Sequence, residues 1–208
     1  MADDDFATII LVGGRSSRMG RPKPWLDLDG KSVLARVVEQ VRTWSAEIVL
    51  VAAPEQDLPP LDDPRPMVVR DDHPGAGPLP ALAVGLEAVR VSWALLLACD
   101  APLVEASVVT RLAAARGADV DAVVPIWDGR PQPLLAFYRR TLAPRIRTLV
   151  AAGERRAHVL AAEPRVERVP EAALRPLDPA GESFRSVNTP EEFAAAAAAW
   201  RASHRGQR

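Results

Sequence analysis

Arg15, Arg18 and Lys23 bring three fixed positive charges into one short stretch, Leu11-Val12-Gly13-Gly14-Arg15-Ser16-Ser17-Arg18-Met19-Gly20-Arg21-Pro22-Lys23. The adjacent glycines Gly13 and Gly14 let the main chain turn sharply and come close to a ligand. Exposed amide donors and cations converging on a turn after a strand make a place to hold phosphate. We read the stretch as a grip for a nucleoside triphosphate. The plainer reading is a tight turn with solvated arginines. The usual phosphate signatures are absent: there is no G-x-G-x-x-G, and G-x-x-x-x-G-K-[ST] fails because Arg21 follows Gly20.

Carboxylates supply the complementary chemistry. In Trp93-Ala94-Leu95-Leu96-Leu97-Ala98-Cys99-Asp100-Ala101-Pro102 an aspartate directly follows an apolar run, and Pro102 stops the strand. A hard oxygen ligand there suits Mg²⁺, which is held by one or two carboxylates plus substrate phosphates. The alternative is that Asp100 only caps the next turn. In Val68-Val69-Arg70-Asp71-Asp72-His73-Pro74-Gly75-Ala76-Gly77-Pro78-Leu79 a strand end meets acids, a glycine–proline turn and a helix start. Asp71 is a candidate nucleotide contact, with Asp72 its neighbour in reserve. Gly75 and Gly77 are expected to allow close backbone approach, and the helix near Pro78 to offer amide donors. His73 reads as a loop histidine, and Cys99 as a small packing residue with no evident base.

Further along, Gly153-Glu154-Arg155-Arg156 offers two arginines, suited to phosphate and planar heterocycles, ahead of a helical stretch holding His158. A solvated helix start is the simpler account of them. Val187-Asn188-Thr189-Pro190 brings an amide to a strand-to-helix junction, where it too can serve merely as a cap.

The elements that must position these groups are legible as alternating periods. Runs 8–12, 48–52, 67–69, 94–98 and 122–126 read as strands, the continuous ones buried on both faces. Segments 32–43, 81–89 and 106–115 have helical periodicity, and the turn 128–134 leads into a strand at 134–138. Alternation of this kind predicts an α/β fold, a largely parallel sheet covered by helices on both sides. Ligands in such sheets sit beyond the carboxyl ends of the strands, where both the glycine turn and Asp100 fall. Nine of the 20 prolines cluster in 54–66 and 164–179, which read as surface loops. Thr189, Pro190 and Glu192 make a capping box for a terminal helix, expected to fray after Trp200.

A chain of 208 residues, 48% hydrophobic, is expected to fold as one domain over 1–208 with its ends, 1–5 and 203–208, frayed. Its 26 basic and 27 acidic residues give a net charge of −1, which excludes a general nucleic-acid or membrane binder. Basic charge is therefore used locally. One cysteine rules out an intrachain disulfide and a multi-cysteine metal site. The acidic N-terminus does not resemble a secretory signal, and no apolar run is long enough to span a bilayer, so a cytoplasmic protein is expected.

Taken whole, the glycine-rich stretch resembles the signature L-x-G-G-x-x-x-R-M-G-x-x-K of the sugar-nucleotide-transferase-like superfamily, in particular the molybdenum cofactor guanylyltransferases (the MobA family). The similarity extends through Val68-Val69-Arg70-Asp71, Gly77-Pro78-Leu79, Cys99-Asp100-Ala101-Pro102, Gly153-Glu154-Arg155-Arg156 and Val187-Asn188-Thr189-Pro190-Glu191-Glu192. The resemblance implies a Rossmann-like three-layer sandwich with a mainly parallel sheet, of the nucleotide-diphospho-sugar transferase type. It implies transfer of GMP from GTP to molybdenum-bearing molybdopterin, with Mg²⁺ as cofactor and pyrophosphate as co-product. By the same resemblance Leu11, Val12 and Gly13 line the nucleotide, Gly14 and Arg18 shape the phosphate site, Lys23 binds phosphate, Asp71 contacts nucleotide and Asp100 holds Mg²⁺. Arg18, Lys23 and Asp100 are the expected catalytic set, facing each other across a triphosphate-sized gap. Arg155, Arg156 and Asn188 are expected on the pterin side. Transient contact with molybdenum-insertion proteins or apo-molybdoenzymes follows from the same likeness. Pro22 stands where the family usually has an acid, Ala52-Ala53 and Ser186 where it often has asparagines. Gly-Arg-Pro-Lys is closer to relatives transferring CMP, so a cytidylyltransferase for the same pterin, or a transferase for another phosphorylated acceptor, is the alternative.

Overall fold

The computed structural model describes residues 5–13, 22–71, 73 and 75–203. Gly14, Arg15, Arg18 and Asp72 therefore lie outside the described residues, as do all of the chain ends expected to fray except Asp5 and Ser203. The strands, in chain order, are Ala7–Leu11 (β1), Asp27–Leu28 (β2), Lys31–Ser32 (β3), Glu47–Ala52 (β4), Met67–Arg70 (β5), Trp93–Ala98 (β6), Ala122–Trp127 (β7), Arg130–Pro131 (β8), Leu135–Arg139 (β9) and Val166–Val169 (β10). The α-helices are Val33–Val41 (α1), Pro78–Ala88 (α2), Ala106–Ala113 (α3), Ala143–Ala151 (α4), Glu171–Leu174 (α5) and Pro190–Ser203 (α6).

The main sheet has eight strands in the order β10-β7-β9-β6-β1-β4-β5, with β8 paired to β7. β1 lies between β4 and β6, parallel to both, and β4 pairs parallel with β5. β9 runs antiparallel to β6 and β7. Residues 128–134 explain that reversal, because a parallel return needs a crossover of about a dozen residues or more. Asp128 and Gly129, both at positive φ, turn the chain straight back instead.

Side chains alternate across the sheet, so each strand feeds two cores. Ile10, Leu50, Leu95 and Phe137 join Leu34, Val37 and Val41 of α1, Val108 and Leu112 of α3, and Trp200 of α6. Ile9, Val49, Leu96 and Tyr138 join Leu79, Leu82 and Leu86 of α2 and Ile146 of α4. Helices on both faces make the fold three-layered, as expected. No helix among the described residues is long and apolar enough to cross a membrane.

Several sequence expectations need correction. β5 is an edge strand, with Met67 and Val68 exposed, so burial on both faces holds only for the interior strands. The stretch 164–179 is not all loop: Val166–Val169 pairs parallel with β7, and α5 follows. Both elements are too short for periodicity to reveal them. The capping box forms as expected, with Thr189 Oγ1 accepting the Glu192 N–H (3.2 Å) and Glu192 Oε2 accepting the Thr189 N–H (3.0 Å). The helix then continues three residues past Trp200 rather than fraying there. Trp200 is buried in the core, with the Arg36 guanidinium 5.6 Å from its ring, and this anchors the last turns.

Candidate active site

The carboxyl ends of β1, β4, β5 and β6 open into a cleft of about 590 Å³. It lies where the strand order reverses at β1, the position at which open α/β sheets bind ligands. Leu11, Val12 and Gly13 form its floor, Ala52, Ala53 and Asp71 one side, and Cys99, Asp100, Lys23 and Asn188 the other.

The floor is held by main-chain bonds that extend the sheet. Val12 N–H donates to Val51 O (2.9 Å), and Cys99 N–H to Leu11 O (3.0 Å). Gln56 ties the two loop ends together: its Oε1 accepts the Ala53 N–H and its Nε2 donates to Val12 O, each at 3.1 Å. Arg70 in turn donates to Ala53 O and Gln56 O, both at 2.9 Å. Sequence reasoning missed these two residues, and Gln56 carries no signal, since it lies in a proline-rich loop. Leu134, which also lines the cleft, was missed as well, while Ser186, at a position where the family often has an asparagine, lines it too.

Lys23 begins a short 3₁₀ turn, Lys23–Trp25, entered through Pro22 and pinned where Trp25 Nε1 donates to Asp57 O (3.2 Å). Its Nζ reaches Asp100 Oδ2 at 2.6 Å and Asn188 Oδ1 at 2.8 Å. The two charged groups share one cleft, as expected, but they touch rather than stand apart across a gap. Each side chain is only 18% exposed, so water screens the pair weakly. Asp100 Oδ1 is buried and has no hydrogen-bond partner among the described residues. Val187 N–H donates to Asp100 O (2.9 Å), which joins the β6 loop to the segment carrying Asn188.

Asp71 is buried and lines the cleft, while its Oδ1 accepts the His73 N–H (2.9 Å) and so fixes its own turn. The start of α2 does not offer the amide donors expected of it. Pro78 and Pro80 have none, and Leu79 N–H donates to Arg155 O (3.2 Å). Gly77, at φ 104°, does allow a close approach, but by the chain itself: a Cβ there would lie 2.7 Å from Arg155 O.

Arg155 and Arg156 are not among the residues lining the cleft. The Arg155 guanidinium donates to Val150 O (2.7 Å) in the last turn of α4 and to Glu154 O (2.8 Å) in the loop after it. The Arg156 side chain is 78% exposed. The main-chain N–H groups of Arg156 and Arg155 hold the Glu154 carboxyl below the usual carboxylate range.

Burial, and then the charge of Asp100, push the Cys99 thiol up to about 12. A thiol so protonated is a poor nucleophile. Iodoacetamide at about pH 8 is therefore expected to leave Cys99 unmodified in the folded protein and to alkylate it in denaturant, as read by intact mass. Rapid labelling of the folded protein would contradict its inert packing role.

No group of three or more His, Cys, Asp or Glu side chains among the described residues could hold a metal ion alone. With the described residues alone, a divalent cation would need oxygens from a ligand as well. The unpartnered Oδ1 of Asp100 suits such a shared hard-oxygen site.

A family model described as a MobA-like NTP transferase domain matches residues 8–169. A Mycobacterium tuberculosis protein named "Probable molybdenum cofactor guanylyltransferase" is 40% identical over 178 residues, 83% of this chain and 87% of its own. The crystal structure of molybdopterin-guanine dinucleotide biosynthesis protein A from Archaeoglobus fulgidus superposes with a TM-score of 0.77 at 25% identity, covering 95% of this chain and 100% of that one. The 2-C-methyl-D-erythritol 4-phosphate cytidylyltransferase of Thermus thermophilus shares the fold alone, with a TM-score of 0.66 at 19% identity over 93% and 98% of the two chains.

Proposed function

The chain belongs to the MobA-like NTP transferase family, and on that footing we propose that it transfers GMP from GTP to molybdenum-bearing molybdopterin. The products are the guanine dinucleotide form of the cofactor and pyrophosphate. The observation that carries this reading is the Lys23–Asp100 contact in the cleft beyond the sheet's carboxyl edge.

Main-chain groups of Leu11, Val12 and Gly13 line the nucleotide, with Asp71 on the neighbouring wall. A phosphate oxygen of the acceptor attacks the α-phosphorus in line, and the bond to the β-phosphate oxygen breaks as pyrophosphate leaves. The protein's task is positioning and charge neutralisation. Lys23 neutralises charge on the departing pyrophosphate, and we assign the same task to Arg18 and Gly14 from the resemblance alone. Asp100 would hold a divalent cation together with the phosphates, Mg²⁺ being our choice; such an ion polarises phosphoryl oxygens and offsets developing charge. On the acceptor side Asn188 lies in the cleft and Arg156, exposed beyond it, reaches Glu154 at 3.5 Å, whereas the Arg155 guanidinium is taken up by Val150 O and Glu154 O. We further place the reaction in the cytoplasm, with product passed on through transient contact with apo-molybdoenzymes or insertion proteins.

Pyrophosphate release, measured with each NTP with and without molybdenum-loaded molybdopterin, tests the reading. Release is expected with GTP and only when the acceptor is present. Preference for CTP would make the protein a cytidylyltransferase, in line with its Gly-Arg-Pro-Lys segment. Nucleotide binding without release would make it a binding protein on the same fold.

A further inference from the structure

Among the described residues the Lys23 ammonium meets two acceptors of different character, the charged Asp100 Oδ2 and the neutral Asn188 Oδ1. Lysine only donates, so the amide must turn its oxygen toward Lys23. The amide nitrogen then points to Ser186 O at 3.4 Å. Asn188 is itself held in place: its N–H and that of Thr189 both donate to Glu192 Oε2, at 2.6 and 3.0 Å. The capping box of α6 therefore aims the amide at Lys23, and Val187 N–H ties the same segment to Asp100 O.

A dication approaching Asp100 meets an ammonium already seated on Oδ2. The pair is formally neutral, so it offers little attraction, and the ammonium repels the newcomer at short range in a weakly screened cleft. A triphosphate changes both conditions together. Its charge draws Lys23 off the carboxylate, and its oxygens complete the coordination that Asp100 begins. Asn188, being neutral, can keep hold of the ammonium without competing with the phosphates for its charge.

We propose that Asn188 is a positioning residue that holds Lys23 at the boundary between Asp100 and the triphosphate, so that the free protein excludes the divalent cation and admits it only together with nucleotide. The inference rests on the reading of Asp100 as the cation's ligand and of Lys23 as a phosphate ligand.

Mn²⁺ binding by the full chain, followed calorimetrically or by electron paramagnetic resonance with and without GTP, tests the first half. The wild-type protein is expected to bind Mn²⁺ at least about tenfold more weakly alone than with GTP, and Lys23→Met to bind Mn²⁺ alone about tenfold more tightly than wild type. Equal affinity with and without GTP, or no gain in Lys23→Met, overturns the inference. Asp100→Asn separates the two levels. If it still binds Mn²⁺ normally with GTP present, the cation role of Asp100 falls and the inference with it. If it loses that binding while Lys23→Met gains nothing, the inference falls alone. Steady-state kinetics test Asn188. Asn188→Ala is expected to raise the KM for GTP about tenfold through a misplaced Lys23, in addition to any weakening of acceptor binding, and Asn188→Gln to recover part of the GTP affinity. A KM for GTP that stays at the wild-type value in Asn188→Ala, even where the acceptor KM rises, overturns the positioning role.

Discussion

Asp100→Asn is expected to lower turnover by about a hundred- to a thousandfold, the usual effect of deleting one charge-stabilising contact from a preorganised site. The substitution keeps the shape and removes the charge. Lys23 would then face a neutral amide at the distance now taken by Oδ2, 2.6 Å, and the buried Oδ1 position would lose its hard anionic character. Folding should change far less. Lys23 keeps its contact with Asn188 Oδ1 and can take the new amide oxygen at position 100 as a second acceptor, so the ammonium is not left without a partner in the cleft. The packing that holds the loop, Cys99 N–H on Leu11 O and Val187 N–H on Asp100 O, is main-chain bonding that the substitution leaves in place. The signature is a large fall in pyrophosphate release with a melting temperature close to wild type. Near-normal Mg²⁺-dependent turnover would refute the cation assignment.

What the sequence made legible follows the range of the interactions involved. β1 could be read because residues 7–11 are all buried and interior strands must be apolar throughout. The capping box could be read because Thr189 and Glu192 satisfy each other's main chain within one turn. That Asp100 and the glycine turn share an edge followed from both lying at strand ends in a parallel sheet. Their contact did not follow, because Lys23 and Asp100 are 77 positions apart and nothing local fixes the distance between them. The role of Arg155 was hidden for the same reason. Two adjacent arginines in a loop suggest an anion, yet one guanidinium serves a carbonyl in the last turn of the preceding helix and that of its own neighbour Glu154. Gln56 shows the converse. A loop residue with no pattern around it holds the cleft floor, because its amide happens to span Ala53 and Val12.

The second large effect is expected at Gly77, where a methyl group should cost about 3 kcal/mol or more of stability. Two penalties combine there. Gly77 has φ 104° and ψ 179°, a conformation that only glycine adopts without strain. A Cβ would also sit 2.7 Å from Arg155 O, a main-chain atom that cannot swing aside as a side chain would. Relief requires the 155 loop to move, which stretches the Leu79 N–H bond to that same carbonyl and shifts the start of α2 along the cleft wall. For a domain of this size the loss corresponds to a fall of about 6–12 °C in melting temperature. Gly75 provides the control. It too has positive φ, at 75°, but a Cβ there meets nothing within 4 Å. Gly75→Ala should therefore carry only the backbone penalty, about 1–2 kcal/mol. Thermal unfolding of the two variants separates strain from collision. Equal losses would mean that the Arg155 carbonyl yields easily, and that the wall of the cleft is not set by its contact with Gly77.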